Sequence, residues 1–255
     1  MNPAPLTNRG VLITRAVAQA ESFARAVSDA GGLPLLLPGI SIAPIEPARK
    51  VAASEWFIFV SPNAVEYGLP HIQEALENGA KVAAVGPTTA RSLQLHGVPQ
   101  PMVARDGFDS EALLKLPAFR QVTGTRITLV RGVGGRELLT RTLIERGAKV
   151  SLLEVYRREK PTLSSEQVQY LESRWAKGVV SVTTCLSVAT LDNIMTTLTT
   201  RGQRMFTVTP LISPSQRVLE RARALGHRAL SVIARGPTVD DIMVDLCELA
   251  SEGKI

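Results

Sequence analysis

Cysteine, histidine and aromatic side chains are all scarce in this sequence. Cys185 and Cys247 lie far apart with no C-x-x-C spacing, and His71, His96 and His227 are scattered. A disulfide framework and a zinc site are therefore not expected. Aromatic residues make up only 4%, and basic residues are dispersed along the chain, so the stacking platform and basic stripe of a nucleic-acid binder are missing. The opening MNPAPLTNRG has no charged segment followed by an apolar one, and the most apolar stretch, Leu33 to Ile45, is interrupted by Pro34, Pro38 and Pro44. No secretory leader or membrane span is expected, which points to a cytoplasmic protein.

What is present is ordinary globular material: 255 residues, 45% hydrophobic and 20% charged. That length fits one large domain or two small ones. The formal charge of +6, with 22 Arg against 7 Lys, suits an anionic partner, because a guanidinium matches carboxylate and phosphate geometry, although a GC-rich genome gives the same arginine excess.

Short β-branched or apolar runs alternate with helical patterns: VLIT (11–14), WFIFV (56–60), VAAV (82–85), RITLV (126–130), VVSVT (179–183), TPLI (209–212) and LSVIA (230–234). Such alternation predicts an α/β fold with parallel sheets. Ser61-Pro62 and Ser213-Pro214 read as helix N-caps followed by proline, Ser164 to Gln167 as a capping box, and Gly31, Gly97, Gly147 and Gly226 as helix stops.

The chain also repeats itself. VLITRAVAQAESFARAVSDAG lies over ITLVRGVGGRELLTRTLIERG, placing Arg15 on Arg131 and Gly31 on Gly147. FVSPNAV lies over VTTCLSV with Ser61 on Thr184, and VGPTTARSLQLHG over ISPSQRVLERARALG with Gly97 on Gly226. Three units in the same order imply two similar α/β halves of four or five strands each.

In parallel sheets ligands collect at the carboxyl ends of strands, where loops lead into helices. Those loops are Thr14-Arg15, Ser61-Pro62-Asn63, Gly86-Pro87-Thr88-Thr89, Arg131-Gly132-Val133-Gly134-Gly135, Thr183-Thr184 and Ser213-Pro214-Ser215. They carry hydroxyls, glycine or arginine beside free backbone N–H groups, which suits anions, although each hydroxyl can equally be a helix cap. RGVGGRE has neither G-x-G-x-x-G spacing nor G-K-[ST], which leaves a nucleotide-binding protein without its fingerprint. No Ser/His/Asp set or H-E-x-x-H is present, and no histidine falls in these loops. Tyr156 closes the run VSLLEVYRR just before Lys160-Pro161.

Taken in order, VLITR, FVSPNAV, AAVGPTTARSLQLHG, FDSEALL, LVRGVGGRELLTRTLIERGAKV, EVYRR and SPSQRVLERARALG resemble the uroporphyrinogen-III synthase family over nearly the whole chain. The resemblance implies two flavodoxin-like α/β domains joined by a two-stranded β linker, with the active site in the cleft between them. The domains would be residues 1–38 with 159–255, and residues 39–158; the linker strands would be Leu33 to Ile40 and Lys149 to Arg158. It further implies a monomeric lyase that needs no metal or organic cofactor. That enzyme cyclises hydroxymethylbilane, a linear tetrapyrrole polycarboxylate, with loss of water and inversion of the last pyrrole ring. By the same resemblance Tyr156 would assist departure of the substrate hydroxyl. Arg15, Ser61, Asn63, Gly86, Thr88, Thr89, Arg131, Gly132, Gly134, Thr184, Ser213 and Ser215 would contact the substrate. TTCLSV and SPSQR depart from the family's usual turns, and Asn63 stands where some relatives carry arginine. A two-domain protein that only binds a tetrapyrrole or other polyanion is the alternative.

Overall fold

The computed structural model describes residues 4–47, 51–105, 107, 109–135 and 137–255. Phe108 of FDSEALL and Arg136 of RGVGGRE lie outside them. In chain order the strands and helices are β1 (Gly10–Ile13), α1 (Val17–Asp29), β2 (Leu33–Leu36), β3 (Ser41–Pro44), β4 (Trp56–Phe59), α2 (Pro62–Gly68), α3 (Gln73–Glu77), β5 (Lys81–Ala84), α4 (Pro87–Leu95), α5 (Ser110–Leu114), α6 (Pro117–Arg120) and β6 (Arg126–Gly132). They continue with α7 (Leu138–Glu145), β7 (Lys149–Glu159), α8 (Ser165–Ala176), β8 (Val180–Thr184), α9 (Val188–Thr197), α10 (Thr200–Thr207), β9 (Leu211–Ser213), α11 (Gln216–Ala224), β10 (Ser231–Ile233) and α12 (Val239–Ser251). All seven runs picked out above form strands, with ends within two residues of those expected.

The chain divides into two compact units, Met1–Ser41 with Glu159–Ile255, and Ile42–Arg158. Each holds one five-stranded sheet, in the orders β10-β9-β8-β1-β2 and β3-β7-β6-β4-β5. Pairings within the first sheet are parallel, as are β5/β4, β4/β6 and β6/β7 in the second. The repeat explains the two orders. Laying β1 on β6, β8 on β4 and β9 on β5 turns β9-β8-β1 into β5-β4-β6, which is the order observed. The first sheet follows the flavodoxin sequence, in which the first and third strands of the unit are neighbours. The second repeats that arrangement over β4, β5, β6 and β7, with β3 added at the edge beyond β7.

Parallel strands need cover on both faces. In the first unit Leu12, Leu35, Val180 and Leu211 pack against Trp175, Leu191 and Phe206. Val11, Ile13, Val182 and Ile212 pack on the other side against Phe23, Ile242 and Leu246. In the second unit Phe57, Phe59 and Val130 meet Val65, Leu69 and Leu93. Trp56, Ile58, Ile127 and Leu129 meet Leu113, Phe119 and Leu143. Cys185 and Cys247 are free thiols, and no helix of the described residues is long and apolar enough to cross a membrane.

Two local expectations are corrected. Leu33 to Ile40 is not one strand: β2 stops at Leu36, and Leu37 and Gly39 then donate to Ile13 O and Thr14 O before β3 begins at Ser41. Pro38 has no N–H to continue a ladder, and a Cβ on Gly39 would lie 2.7 Å from both Cγ2 and O of Thr190. The cap of α11 is Ser215, not Ser213, which is the last residue of β9. By contrast Ser61 caps α2 with Pro62 at its first position, and Ser164 with Gln167 forms the capping box of α8. Gly31, Gly97, Gly147 and Gly226 stand at positive φ after α1, α4, α7 and α11.

Candidate functional site

In the second unit the chain steps outward from β4 to β5 and in the opposite direction from β6 to β7, so the gap between the carboxyl ends of the neighbours β4 and β6 is the switch point where such sheets bind ligands. A cavity of about 320 Å³ lies there, lined by residues that include Ser61 after β4, Gly132 and Gly135 at the end of β6, and Tyr156 on β7. A larger one, about 570 Å³, opens beside Trp56, Lys81 and Arg126, the first residues of β4, β5 and β6. That is the amino end of the sheet, where no helix N-terminus follows a strand. The smaller cavity is therefore the better candidate.

Tyr156 is 3% exposed, packed among Phe59, Val65, Leu153 and Val155, yet its ring still lines the cavity. Its hydroxyl lies 3.1 Å from Ser61 Oγ. Ser61 Oγ in turn accepts a hydrogen bond of 3.1 Å from the Ala64 N–H, the cap bond of α2. The Tyr156 ring rests against Gly132, its partner in the β6/β7 register, where a bulge interrupts the pairing. A Cβ at Gly132 would fall 2.4 Å from Tyr156 Cε2. Only glycine leaves room for that ring.

Arg131 is 3% exposed, and its guanidinium turns back into its own loop. Nε donates to Gly132 O at 3.2 Å, Nη2 to Gly135 O at 2.8 Å, and both terminal nitrogens reach Glu137 Oε1 at 3.2 Å. Every nitrogen of the fork already has a protein acceptor. Arg131 thus closes the glycine-rich loop, pairs with Glu137 and also lines the cavity. Gly134 turns that loop at φ 73° with open space around it.

Asn63 is half-buried at the start of α2, while Gly86 caps α4 and Thr88 is exposed in its first turn. Thr89, next along, is 4% exposed and contributes to the core rather than to an open surface. In the first unit Thr184 is fully buried at the end of β8, and its hydroxyl donates to Leu12 O at 3.1 Å. It ties β8 to β1 and is not a turn residue open to substrate. The helix that follows is capped by Ser187, whose Oγ accepts from Thr190 N at 3.1 Å. Ser61 therefore corresponds to Ser187, and the S-x-x-T spacing was the overlooked signal. Ser213 is likewise fully buried, its Oγ accepting from Ser215 N. Ser215 is half-buried at the start of α11.

Arg15 follows β1, where the repeat places it opposite Arg131, but its surroundings differ. One nitrogen donates to Pro237 O at 2.7 Å, the guanidinium sits 5.5 Å from the centre of the Phe23 ring, and Nε is buried without a partner. Burial pushes its pKa below the usual arginine value. Among the described residues no carboxylate pairs with it. Cys185, also at the end of β8, is pushed up to about 12 by burial and is a thiol at neutral pH, which removes it as a nucleophile.

Comparison with known proteins agrees with this architecture. The Proteus mirabilis uroporphyrinogen-III synthase is 32% identical over 161 residues, covering 58% of this chain and 79% of that protein. The Salmonella typhimurium uroporphyrinogen-III synthase is 32% identical over 199 residues, covering 68% and 71%. Among solved structures, the uroporphyrinogen-III synthetase of Helicobacter pylori superposes with a TM-score of 0.59 at 16% identity, covering 96% of this chain and 99% of that one. A mutant of the Thermus thermophilus enzyme gives 0.53 at 18% identity, with the same coverage. These two support the fold. The family model described as uroporphyrinogen-III synthase HemD matches residues 21–243. With most of its length matched in this way, the chain belongs to the uroporphyrinogen-III synthase family.

Proposed function

We propose that this chain closes hydroxymethylbilane to uroporphyrinogen III, and that the substrate hydroxyl departs at Tyr156 in the cavity beside β4 and β6. The observation that carries the site is the phenol held 3.1 Å from the Ser61 hydroxyl that caps α2. Ser61 Oγ accepts from the Ala64 N–H, and in this proposal it donates its own proton to Tyr156 Oη, the direction that leaves the phenol free to donate. The phenolic proton is then left to point at the substrate. Successive hydrogen bonds polarise one another, so the helix end strengthens the donor that meets the leaving group.

The bilane loses a hydroxyl from its terminal carbon and a proton from the pyrrole nitrogen, together one water, to give an azafulvene. The substituted carbon of the last pyrrole attacks it, and the resulting spiro intermediate rearranges with no further atoms gained or lost. Because the azafulvene closes spontaneously to the uninverted type I ring, the protein's main contribution is to hold the chain for the other attack. Arg15, a cation without an acidic partner among the described residues, supplies one carboxylate contact; Asn63, Thr88 and Ser215 form no side-chain hydrogen bonds with the described residues and are open to others. Gly86, Gly132 and Gly134 bring backbone close to the ligand. We take the protein to act in the cytoplasm as a monomer on this free small molecule.

Incubation with freshly prepared hydroxymethylbilane should give the type III isomer, and type I alone would overturn the reading in favour of a polyanion binder. Ser61→Ala should lower stability by about 1 kcal/mol through loss of the α2 cap. It should also lower turnover roughly tenfold, within the range a positioned acid–base group contributes. Ser61→Thr, which keeps cap and hydroxyl, should retain most of both; thermal melts and isomer analysis check the pair.

A further inference from the structure

Three charged residues line the cavity that holds Tyr156: Asp109, Arg131 and Arg158. Two are engaged within the protein. Asp109 Oδ1 accepts the Ala112 N–H at 2.9 Å as the cap of α5, and Arg131 is held by Glu137 and two carbonyls of its loop. Arg158 is different: it is exposed at the cavity and makes no hydrogen bond or ion pair with the described residues. Its place on β7 explains its direction. Alternate residues of a strand share a face, so Tyr156 and Arg158 line the cavity while Arg157 between them does not. Two strand residues span about 6.6 Å, close to the separation between a group on a pyrrole and the carboxylate of a short arm on the same ring.

We infer that Arg158 anchors a carboxylate of the pyrrole whose hydroxyl departs at Tyr156. A guanidinium fork binds a carboxylate through paired charge-assisted hydrogen bonds, which fixes orientation as well as charge. Holding one arm of that pyrrole sets its carbon–oxygen bond at the phenol, so Arg158 is a specificity-determining residue that acts on binding and alignment. The inference rests on the synthase reading above.

Steady-state kinetics with fresh hydroxymethylbilane test it. Arg158→Gln should raise KM about tenfold or more, the loss expected for hydrogen bonds to a charged group, while kcat falls less than threefold. At substrate well below KM the share of type I product should rise, because spontaneous closure then competes. Arg158→Lys, which keeps the charge and loses the fork, should recover part of the KM. Arg141→Gln removes the same charge from the exposed face of α7, outside the cavity lining, and should leave KM unchanged. An unchanged KM in Arg158→Gln, or an equal rise in Arg141→Gln, overturns the anchor while type III formation by the unaltered protein keeps the synthase reading intact. Type I alone from the unaltered protein overturns both.

Discussion

Replacing Tyr156 by phenylalanine is expected to lower kcat about a hundredfold while leaving the fold intact, since positioned proton donors contribute roughly 10²–10⁴ in rate. The ring contributes the packing, being 3% exposed among Phe59, Val65, Leu153 and Val155, and phenylalanine keeps every one of those contacts. What is lost is one hydroxyl and its bond to Ser61, whose Oγ still accepts the Ala64 N–H. The stability change should therefore stay within about 1 kcal/mol, the ordinary net worth of one hydrogen bond. Thermal melts and single-turnover assays on the same preparations separate the two effects. Turnover equal to the unaltered protein would remove Tyr156 from the chemistry and leave it a packing residue. The variant also contrasts with Arg158→Gln, where the change belongs in KM.

The strands were readable because each is a short apolar run between polar helices, and parallel pairing keeps both faces buried, as Phe57 and Ile58 show on opposite sides of β4. The spatial order followed from the repeat, since Arg15 on Arg131 and Gly97 on Gly226 matched strands that occupy equivalent places. Residues whose partners lie at no regular spacing were harder to read. Arg131 looked like an anion ligand because it ends a strand; that its fork returns to Gly135 and Glu137 depends on how the glycine turn folds. Thr184 looked like a turn hydroxyl because β8 runs further than its composition suggested, and only the register with β1 buries it against Leu12 O. Tyr156 was legible as the polar end of an apolar strand. Its serine partner, 95 positions earlier, became visible only once β4 and β7 were placed either side of β6. Arg158 needed no more than the alternation of β7, counted from Tyr156.

Gly132→Ala should be a strongly damaging single-methyl change in the second unit. The added Cβ would lie 2.4 Å from Cε2, 2.5 Å from Cζ and 2.9 Å from Cδ2 of Tyr156, all atoms of one rigid ring. The φ of Gly132 is not in the left-handed region, so the cost comes from this collision alone. The ring cannot yield freely, because Tyr67 stands with its centroid 6.4 Å behind it and the Val133 N–H holds Tyr156 O at 2.9 Å. Either the tyrosine leaves its rotamer or β6 and β7 separate; overpacking of this kind costs about 1–3 kcal/mol. Both routes move the hydroxyl away from Ser61, so turnover should fall at least as far as in Tyr156→Phe. Gly134→Ala, in the same loop with open space around it, is the matched control: its φ of 73° strains a side chain, but nothing touches the tyrosine. A double-mutant cycle isolates the contact. Combining Gly132→Ala with Tyr156→Ala removes the ring that the methyl strikes, so the two losses of stability should fall short of additive by about 1 kcal/mol or more. Strict additivity would show that Gly132 is required by the backbone of β6 and not by the ring of Tyr156.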